Sequence, residues 1–117
     1  MIVKPYDGDC KRIVFYLLQV INMKIKLAHG FANVEKNNFG SYLHLVMVEP
    51  EYRGKGIATK LMNKVLDKSP RPIYLLADGE FGSDPKRLIE FYSRFGFTKQ
   101  RQKKRDGYPY NYNMVLY

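Results

Sequence analysis

The chain has 117 residues, the size of one domain with a single hydrophobic core, and we expect residues 1–117 to form that one domain. Hydrophobic residues make up 45% of the chain and charged residues 26%, which excludes a disordered or low-complexity protein. Twenty Lys and Arg against eleven Asp and Glu give a formal net charge of +9. The chain therefore attracts phosphates or acidic surfaces and repels polycations.

The cysteine count and the hydropathy pattern exclude further classes. One cysteine, Cys10, rules out an internal disulfide, and with His29 and His44 as the two histidines we expect no metal site. No apolar run reaches the roughly 20 residues that span a bilayer, and the start of the chain lacks the layout of a signal peptide. We therefore expect a cytoplasmic protein with no membrane partner.

The N-terminal region predicts a short strand followed by a helix. Residues 2–6 favour a strand, and Asp9 is suited to cap a helix that starts at Cys10. The apolar residues from 11 to 22 are nearly continuous, so their periodicity alone does not separate a helix from a strand. The cap favours a helix of about a dozen residues.

The next region predicts extended structure. Residues 23–35 alternate as a strand does, with Gly30 marking a bend or a bulge. Residues 41–48 are strongly β-prone and end at Pro50. Both faces of this strand are largely apolar, which indicates a central position in a sheet. Regular alternation puts Tyr42, His44, Val46 and Val48 on one face, and Leu43, Leu45 and Met47 on the other.

From Gly56 the pattern changes to helical spacing. The apolar residues then recur along one helical face, and Ser-Pro at 69–70 ends the helix. Residues 73–77 form a short apolar run, which predicts a buried strand. The helical face consists of Ile57, Leu61, Met62, Val65 and Leu66.

The C-terminal third predicts one more helix and two strands. Asp84 is suited to cap a helix with Pro85 at its first position, and Gly96 to end it. Two further strands flank a turn at 105–107, and the last of them covers residues 113–117. Together these elements predict an α/β fold with a mixed sheet.

The turn Arg53-Gly54-Lys55-Gly56 lies between the predicted central strand and the helix that follows it. The first turn of a helix presents unpaired N–H groups at the positive end of the helix dipole, which favours anions. Glycine lets a phosphate approach this backbone closely, and Arg53 and Lys55 add positive charge. The spacing differs from the Walker loop, and Thr59 replaces the third glycine of the dinucleotide fingerprint. The turn alone is also compatible with a plain glycine-rich connection.

Two motifs together resemble a known family. RGKGIA at 53–58, followed by FYSRFGF at 91–97, resembles the GNAT superfamily of acetyl-CoA-dependent N-acetyltransferases. The family signature [Q/R]-x-x-G-x-[G/A] falls on residues 51–56, and the resemblance covers about residues 41–97. The chain is also similar to compact, phage-encoded members of the superfamily, with IEFY at 89–92.

The resemblance implies both a fold and a cosubstrate. The implied fold is a GNAT-like α/β (α+β) domain with a mixed, mostly antiparallel sheet, splayed central strands and flanking helices. Acetyl-CoA is expected in the gap between the strand ending at Val48 and the strand at 73–77, with its pyrophosphate on the glycine turn. The residues implied in cofactor binding are Val46, Met47, Val48, Arg53, Gly54, Lys55, Gly56, Ile57, Ala58 and Thr59.

The resemblance also implies a reaction, the direct attack of a primary amine on the thioester. By its position in the motif, Tyr92 is the implied general acid, although its spacing also suits a core aromatic residue. His44 is a candidate general base because of its intrinsic pKa, although a packed histidine is an equally simple interpretation. Glu49, Asp78 and Glu80 are alternative bases.

The acceptor is not identified by any motif. The net charge of +9 favours an amine on a macromolecule, either an acidic protein or a nucleic-acid-associated substrate, over a small polyamine. The cations and tyrosines of residues 98–117 resemble those of nucleic-acid binders, and also suit a solvated hairpin with packed tyrosines. A small-amine acetyltransferase and an inactive CoA-binding or nucleic-acid-binding module remain alternatives. Two residues depart from the family pattern: Glu51 at the first signature position, and Pro85 where many members have a CoA-contacting Asn.

Overall fold

A computed structural model describes residues 20–78, 84–100 and 108–117. The elements are β1 (Ile21–Leu27), β2 (Gly30–Asn37), β3 (Gly40–Val48), α1 (Ile57–Lys68), β4 (Ile73–Leu75), α2 (Pro85–Ser93), β5 (Thr98–Lys99) and β6 (Met114–Leu116). Within these residues six strands form one sheet in the order β1-β2-β3-β4-β6-β5. Neighbouring strands are antiparallel except β3 and β4, which are parallel and connected through α1. The predicted α/β fold with a mixed, mostly antiparallel sheet is confirmed.

Most of the predictions for the N-terminal region concern residues that the structure does not describe. The strand predicted at 2–6 and most of the helix predicted from Cys10 lie outside the described residues. The last residues of that helix, Ile21 and Asn22, belong to β1 instead, because they pair with the end of β2. The prediction of a helix is therefore wrong at these two positions.

The extended segment predicted at 23–35 is a hairpin of β1 and β2. Its two-residue turn is Ala28-His29, where His29 has a φ of 67°. The bend thus lies just before Gly30, which is the first residue of β2. A Cβ atom at Gly30 would lie 3.0 Å from Ile57 Cγ2 and 3.0 Å from Met47 O. Glycine at this position allows the hairpin to approach α1 closely.

A β-bulge interrupts β3 at its centre. Asn33 of β2 pairs with Leu45 and the next residue, Val34, pairs with Leu43. His44 is therefore the extra residue of β3, standing between two consecutive pairs. A bulge of this kind bends the strand and increases its local twist.

The bulge also reverses the alternation of side chains along β3. Tyr42 packs in an aromatic cluster on one face of the sheet, whereas Leu43 packs in the main core on the other. Val46 and Val48 pack in the same core as Leu43. The prediction that both valines share a face with Tyr42 and His44 is wrong, because one extra residue shifts the two-residue period.

Beyond the bulge, β3 and β4 separate. Their parallel ladder joins residues 41–43 to residues 73–75, and in the described chain no further pairs follow. The strand predicted at 73–77 ends at Leu75, because the N–H and C=O of Ala77 bond to the side-chain amide of Asn113, both at 2.8 Å. The strand predicted at 113–117 is likewise shortened, to β6. The separated ends of β3 and β4 leave a gap in the sheet.

Both helices pack on the face of the sheet that carries the main core. Leu61, Met62 and Val65 of α1 are each fully buried, which confirms the predicted apolar face. α2 begins as predicted, since Asp84 Oδ1 accepts a hydrogen bond from Lys86 N at 3.0 Å and Pro85 is at the first helical position. The opposite face carries the aromatic cluster of Tyr42, Tyr74 and Val115 with Phe39, Tyr108, Tyr110 and Tyr112. Neither α1 nor α2 has the length and apolar character needed to cross a bilayer.

Candidate active site

A cavity of about 440 Å³ opens where β3 and β4 separate. Its walls are the second half of β3, the glycine turn, the first turn of α1 and one side of α2. The lining residues are His44, Leu45, Val46, Met47, Val48, Tyr52, Arg53, Gly54, Gly56, Ile57, Ala58, Thr59, Leu76, Asp78, Leu88, Phe91, Tyr92 and Arg94. Nine of the ten residues that the sequence assigns to cofactor binding are in this set, and Lys55 is the exception.

The glycine turn contributes backbone rather than side chains. Gly54 and Gly56 have φ values of 79° and 83°, a left-handed conformation that other residues adopt at a cost. Gly56 is the N-cap of α1 and has no side chain to bond the first-turn N–H groups. A Cβ atom at either glycine would meet no atom within 4 Å, so the surface above this backbone is open. This geometry suits a phosphate group.

Arginines supply the positive charge around the turn. Arg53 Nε donates to Val48 O at 3.1 Å, which holds its side chain against the end of β3. Arg94 of the turn after α2 faces the same cavity. Lys55 lies away from the lining, with its Nζ 5.4 Å from the ring centroid of Tyr52. Arg53 and Arg94 also line an adjacent cavity, together with Arg87.

Tyr92 projects from the last turn of α2 into the cavity. Burial raises the pKa of its phenol to about 12, so the hydroxyl keeps its proton at neutral pH. The end of α2 is fixed by a Schellman motif, in which Gly96 N donates to Ser93 O at 3.0 Å and Phe97 N to Tyr92 O at 3.4 Å. Gly96 has the φ of 97° that this motif requires, as the sequence predicts for the end of the helix. The backbone that carries Tyr92 is thus fixed by hydrogen bonds, and its phenol is protonated.

His44 faces the cavity from the bulge of β3. Its side chain is 36% exposed, and its Nε2 lies 3.3 Å from Oε1 of Glu35, a buried carboxylate of β2. His44 and Tyr92 therefore stand on opposite walls of one cavity, the first on the sheet and the second on α2. This arrangement provides a proton acceptor and a proton donor in the same space.

The other candidate bases differ in their positions. Asp78 lines the cavity just beyond β4. Glu49 does not line it: its Oε2 accepts a hydrogen bond from His29 Nδ1 at 3.0 Å, and the His29 ring stacks on Tyr52 at 3.4 Å. Glu80 lies outside the described residues. Of the two carboxylates that the structure describes, Asp78 lines the cavity and Glu49 does not.

Some lining residues were not predicted from the sequence. Phe91 and Arg94 line the cavity. They belong to FYSRFGF, in which the sequence predicted a catalytic role for Tyr92 alone. Arg87 and Arg94 are seven residues apart, a spacing that places both on one side of a helix and could have identified them. Glu35 is the single acidic residue of β2, and that was the available signal.

Comparisons with known proteins agree on one family. A family model described as an acetyltransferase (GNAT) domain matches residues 14–116. A protein of Methanocaldococcus jannaschii named an uncharacterized N-acetyltransferase is 33% identical over 73 residues, which are 62% of this chain and 32% of that protein. The chain thus spans about a third of the length of that relative.

Two solved structures show the same fold. An acetyltransferase of the GNAT family from Staphylococcus aureus superposes with a TM-score of 0.59 at 24% identity, covering 92% of this chain and 73% of that one. The anti-CRISPR protein AcrVA5 superposes with a TM-score of 0.61 at 23% identity, covering 80% of this chain and 95% of that one. At these identities the likeness extends to the fold and no further.

Proposed function

Because the chain belongs to the GNAT acetyltransferase family, we propose that it transfers an acetyl group from acetyl-CoA to a primary amine. The observation that carries this proposal is the cavity at the separation of β3 and β4, which joins the glycine turn to Tyr92. Its walls offer an anion site at one end and paired proton-transfer groups at the other. This combination suits a phosphate-bearing thioester better than a phosphate alone.

We assign the binding of acetyl-CoA to two parts of the cavity. The N–H groups of the glycine turn and the first turn of α1 would hold the pyrophosphate, with Arg53 and Arg94 adding charge. The main chain of residues 45–48 would hold the pantetheine arm, because the edge of β3 that faces the gap has no ladder to β4. When bound, acetyl-CoA supplies an activated carbonyl carbon and a thiolate leaving group.

The chain's own residues then act on the acceptor amine and the leaving group. His44 accepts the proton that the amine loses as its nitrogen bonds to the carbonyl carbon. Backbone N–H groups at the end of β3 stabilise the negative charge on the carbonyl oxygen. Tyr92 donates its proton to the sulfur as the C–S bond breaks, and solvent restores it. The products are an amide and CoA thiol.

We place the acceptor amine on a macromolecule with an acidic surface or on a nucleic-acid-associated substrate. The support is electrostatic, since a protein with a net charge of +9 repels free polyamines and attracts acidic partners. The cavity lining is also net positive, because it contains two cations, Arg53 and Arg94, and one anion, Asp78. A small amine acceptor would need to approach through this positive field.

The test is thiol release from acetyl-CoA with three separate acceptor pools: acidic proteins, RNA-bound proteins and small amines. We expect release with a protein pool, and mass spectrometry of that pool should locate acetyl groups on amines. Release with small amines alone would overturn the macromolecular acceptor. Acetyl-CoA binding by calorimetry without release from any pool would identify a binding module and overturn the proposed activity.

A further inference from the structure

Glu35 is a buried carboxylate on the strand next to the bulge. Glu35 is 3% exposed. Its backbone pairs with that of Tyr42, which lies two positions before His44. Removing a carboxylate from water is costly unless charged or polar partners compensate. The partners of Glu35 therefore indicate what this charge does.

The two carboxylate oxygens of Glu35 have different partners. Oε2 accepts a hydrogen bond from Asn37 Nδ2 at 3.1 Å, within β2. Oε1 accepts one from the hydroxyl of Tyr110 at 2.5 Å, 75 residues away along the chain. The same Oε1 lies 3.3 Å from Nε2 of His44. The carboxylate is thus anchored from two sides while it faces the imidazole.

Aromatic rings fix the plane of the His44 imidazole. Its centroid lies 4.7 Å from that of Tyr42 and 4.9 Å from that of Tyr110, with the Tyr110 ring at 83° to it. The imidazole therefore contacts two rings of the aromatic cluster, and His44 also lines the cavity. A histidine held in this way has little rotational freedom left to lose in a reaction.

We propose that Glu35 is a positioning residue that fixes the tautomer and orientation of His44, an inference that rests on the proposed role of His44 in acetyl transfer. With Glu35 ionised, the hydrogen of neutral His44 resides on Nε2 and donates to Oε1. The lone pair on Nδ1 then accepts the proton released by the attacking amine. The resulting imidazolium lies beside a fixed negative charge, which stabilises it. Tyr110 orients Glu35 in turn.

Other ionisable groups act on the same imidazole. Tyr42 comes from its own strand and Tyr110 from the C-terminal segment. Across the cavity the charged residues that line the wall are Arg53, Asp78 and Arg94. Of all these groups, Glu35 is the one with an atom within hydrogen-bonding distance of the ring nitrogen. Its carboxylate is therefore the group that contacts the imidazole most directly.

The tautomer of His44 in the unaltered protein provides a direct test. The chain has two histidines, His29 and His44, so a long-range ¹H–¹⁵N spectrum is simple to assign with a His44→Gln variant. We expect neutral His44 to carry its hydrogen on Nε2. The Nδ1–H tautomer would overturn the proposal, and this measurement needs no variant of Glu35 to fold.

The tautomer of His44 in variant proteins provides the second test. In Glu35→Gln protein the imidazole loses its charged hydrogen-bond acceptor, so we expect a mixture of the two neutral tautomers of His44. Glu49→Gln is the matched control, since Glu49 bonds to His29 and its loss should leave the tautomer of His44 unchanged. Tyr110→Phe keeps the carboxylate and should keep the Nε2–H tautomer of His44. An unchanged His44 tautomer in folded Glu35→Gln protein would overturn the proposal.

Enzyme kinetics separate this proposal from the proposed function. Glu35→Gln should lower kcat/KM roughly 10-fold while the Kd for acetyl-CoA stays unchanged. A purely structural role for Glu35 would reduce activity without changing the tautomer of His44, which would overturn the proposal. If no acceptor pool reacts at all, the proposed function fails, and the tautomer still decides whether Glu35 positions His44.

Discussion

The two halves of β3 belong to one strand and have opposite roles. Residues 41–43 are buried and lie in ladders with both β2 and β4. Ser41 is additionally fixed by hydrogen bonds to Pro70 O at 2.6 Å and Pro72 O at 2.9 Å. Residues 45–48 pair with β2 alone and line the cavity. One bulge residue, His44, thus separates the half that stabilises the sheet from the half that is available to a ligand.

The sharpest test of this division is a pair of identical substitutions on either side of the bulge. Leu43→Ala should lower the free energy of unfolding by about 3 kcal/mol, because it empties a site in the main core. Leu45→Ala should lower it by only about 1 kcal/mol, since this side chain lines the open cavity. Urea denaturation measures both values, and calorimetry with acetyl-CoA should show the reverse order for binding. Equal losses of stability would contradict the division.

Tyr92 faces the second half of β3, so its hydroxyl should affect catalysis and leave stability unchanged. Tyr92→Phe should slow thiol release roughly 100-fold while the Kd for acetyl-CoA and the Tm stay the same. Tyr117→Phe is a matched control, because Tyr117 is exposed at the end of the chain. An unchanged rate in Tyr92→Phe would remove the proton-donor role from this residue.

The glycines that flank β3 give a third comparison. Gly56→Ala should cost about 1–2 kcal/mol of stability from its left-handed backbone, and it should weaken acetyl-CoA binding by covering the turn. Gly40→Ala should cost more, because its Cβ atom would lie 2.2 Å from Pro72 O, and it should leave the intrinsic binding constant unchanged. Thermal melts and calorimetry distinguish the two. A Gly56→Ala variant with normal acetyl-CoA binding would argue against the anion site.

The smallest expected effect is a loss of stability at high pH. The pKa of Tyr92 is raised to about 12 in the folded protein, so folding favours the protonated phenol. This stabilisation is complete below about pH 10 and is lost as the pH rises towards 12. At pH 11 the wild type should lose about 1 kcal/mol more than Tyr92→Phe, relative to pH 8. The free energy of unfolding of Tyr117→Phe should depend on pH as that of the wild type does. The same pH dependence in all three proteins would contradict the burial of the Tyr92 phenol.

The local features of the fold were predictable from sequence because they depend on neighbouring residues. The apolar face of α1, the cap at Asp84 and the left-handed Gly96 each follow from a short pattern, and all three are observed. The glycine turn is also a local pattern, and it lies at the start of α1 with both glycines in the left-handed conformation. Each of these signals lies within a stretch of sequence about as long as one or two helical turns.

The features missed from sequence depend on distant residues. The bulge at His44 exists only in the pairing of β3 with β2, and a single strand carries no sign of it. The contact of Tyr110 with Glu35 spans 75 residues. For the C-terminal segment the sequence suited either a nucleic-acid surface or a hairpin with packed tyrosines, and it did not identify what the tyrosines pack against. In the structure Tyr108, Tyr110 and Tyr112 pack against the buried face of the central strands.

The side-chain amide of Asn113 bonds both backbone groups of Ala77, next to the gap in the sheet. A sheet that opens exposes the backbone groups that a ladder would have satisfied, and each one left buried without a partner costs about 1–3 kcal/mol. The side chain of Asn113 supplies both a donor and an acceptor to Ala77, and so replaces one rung of the β4–β6 ladder. Beyond Leu75 both backbone groups of Ala77 thereby keep hydrogen bonds, although no strand follows there. One side chain thus satisfies backbone groups that would otherwise need a neighbouring strand, at the point where the sheet opens into a cleft.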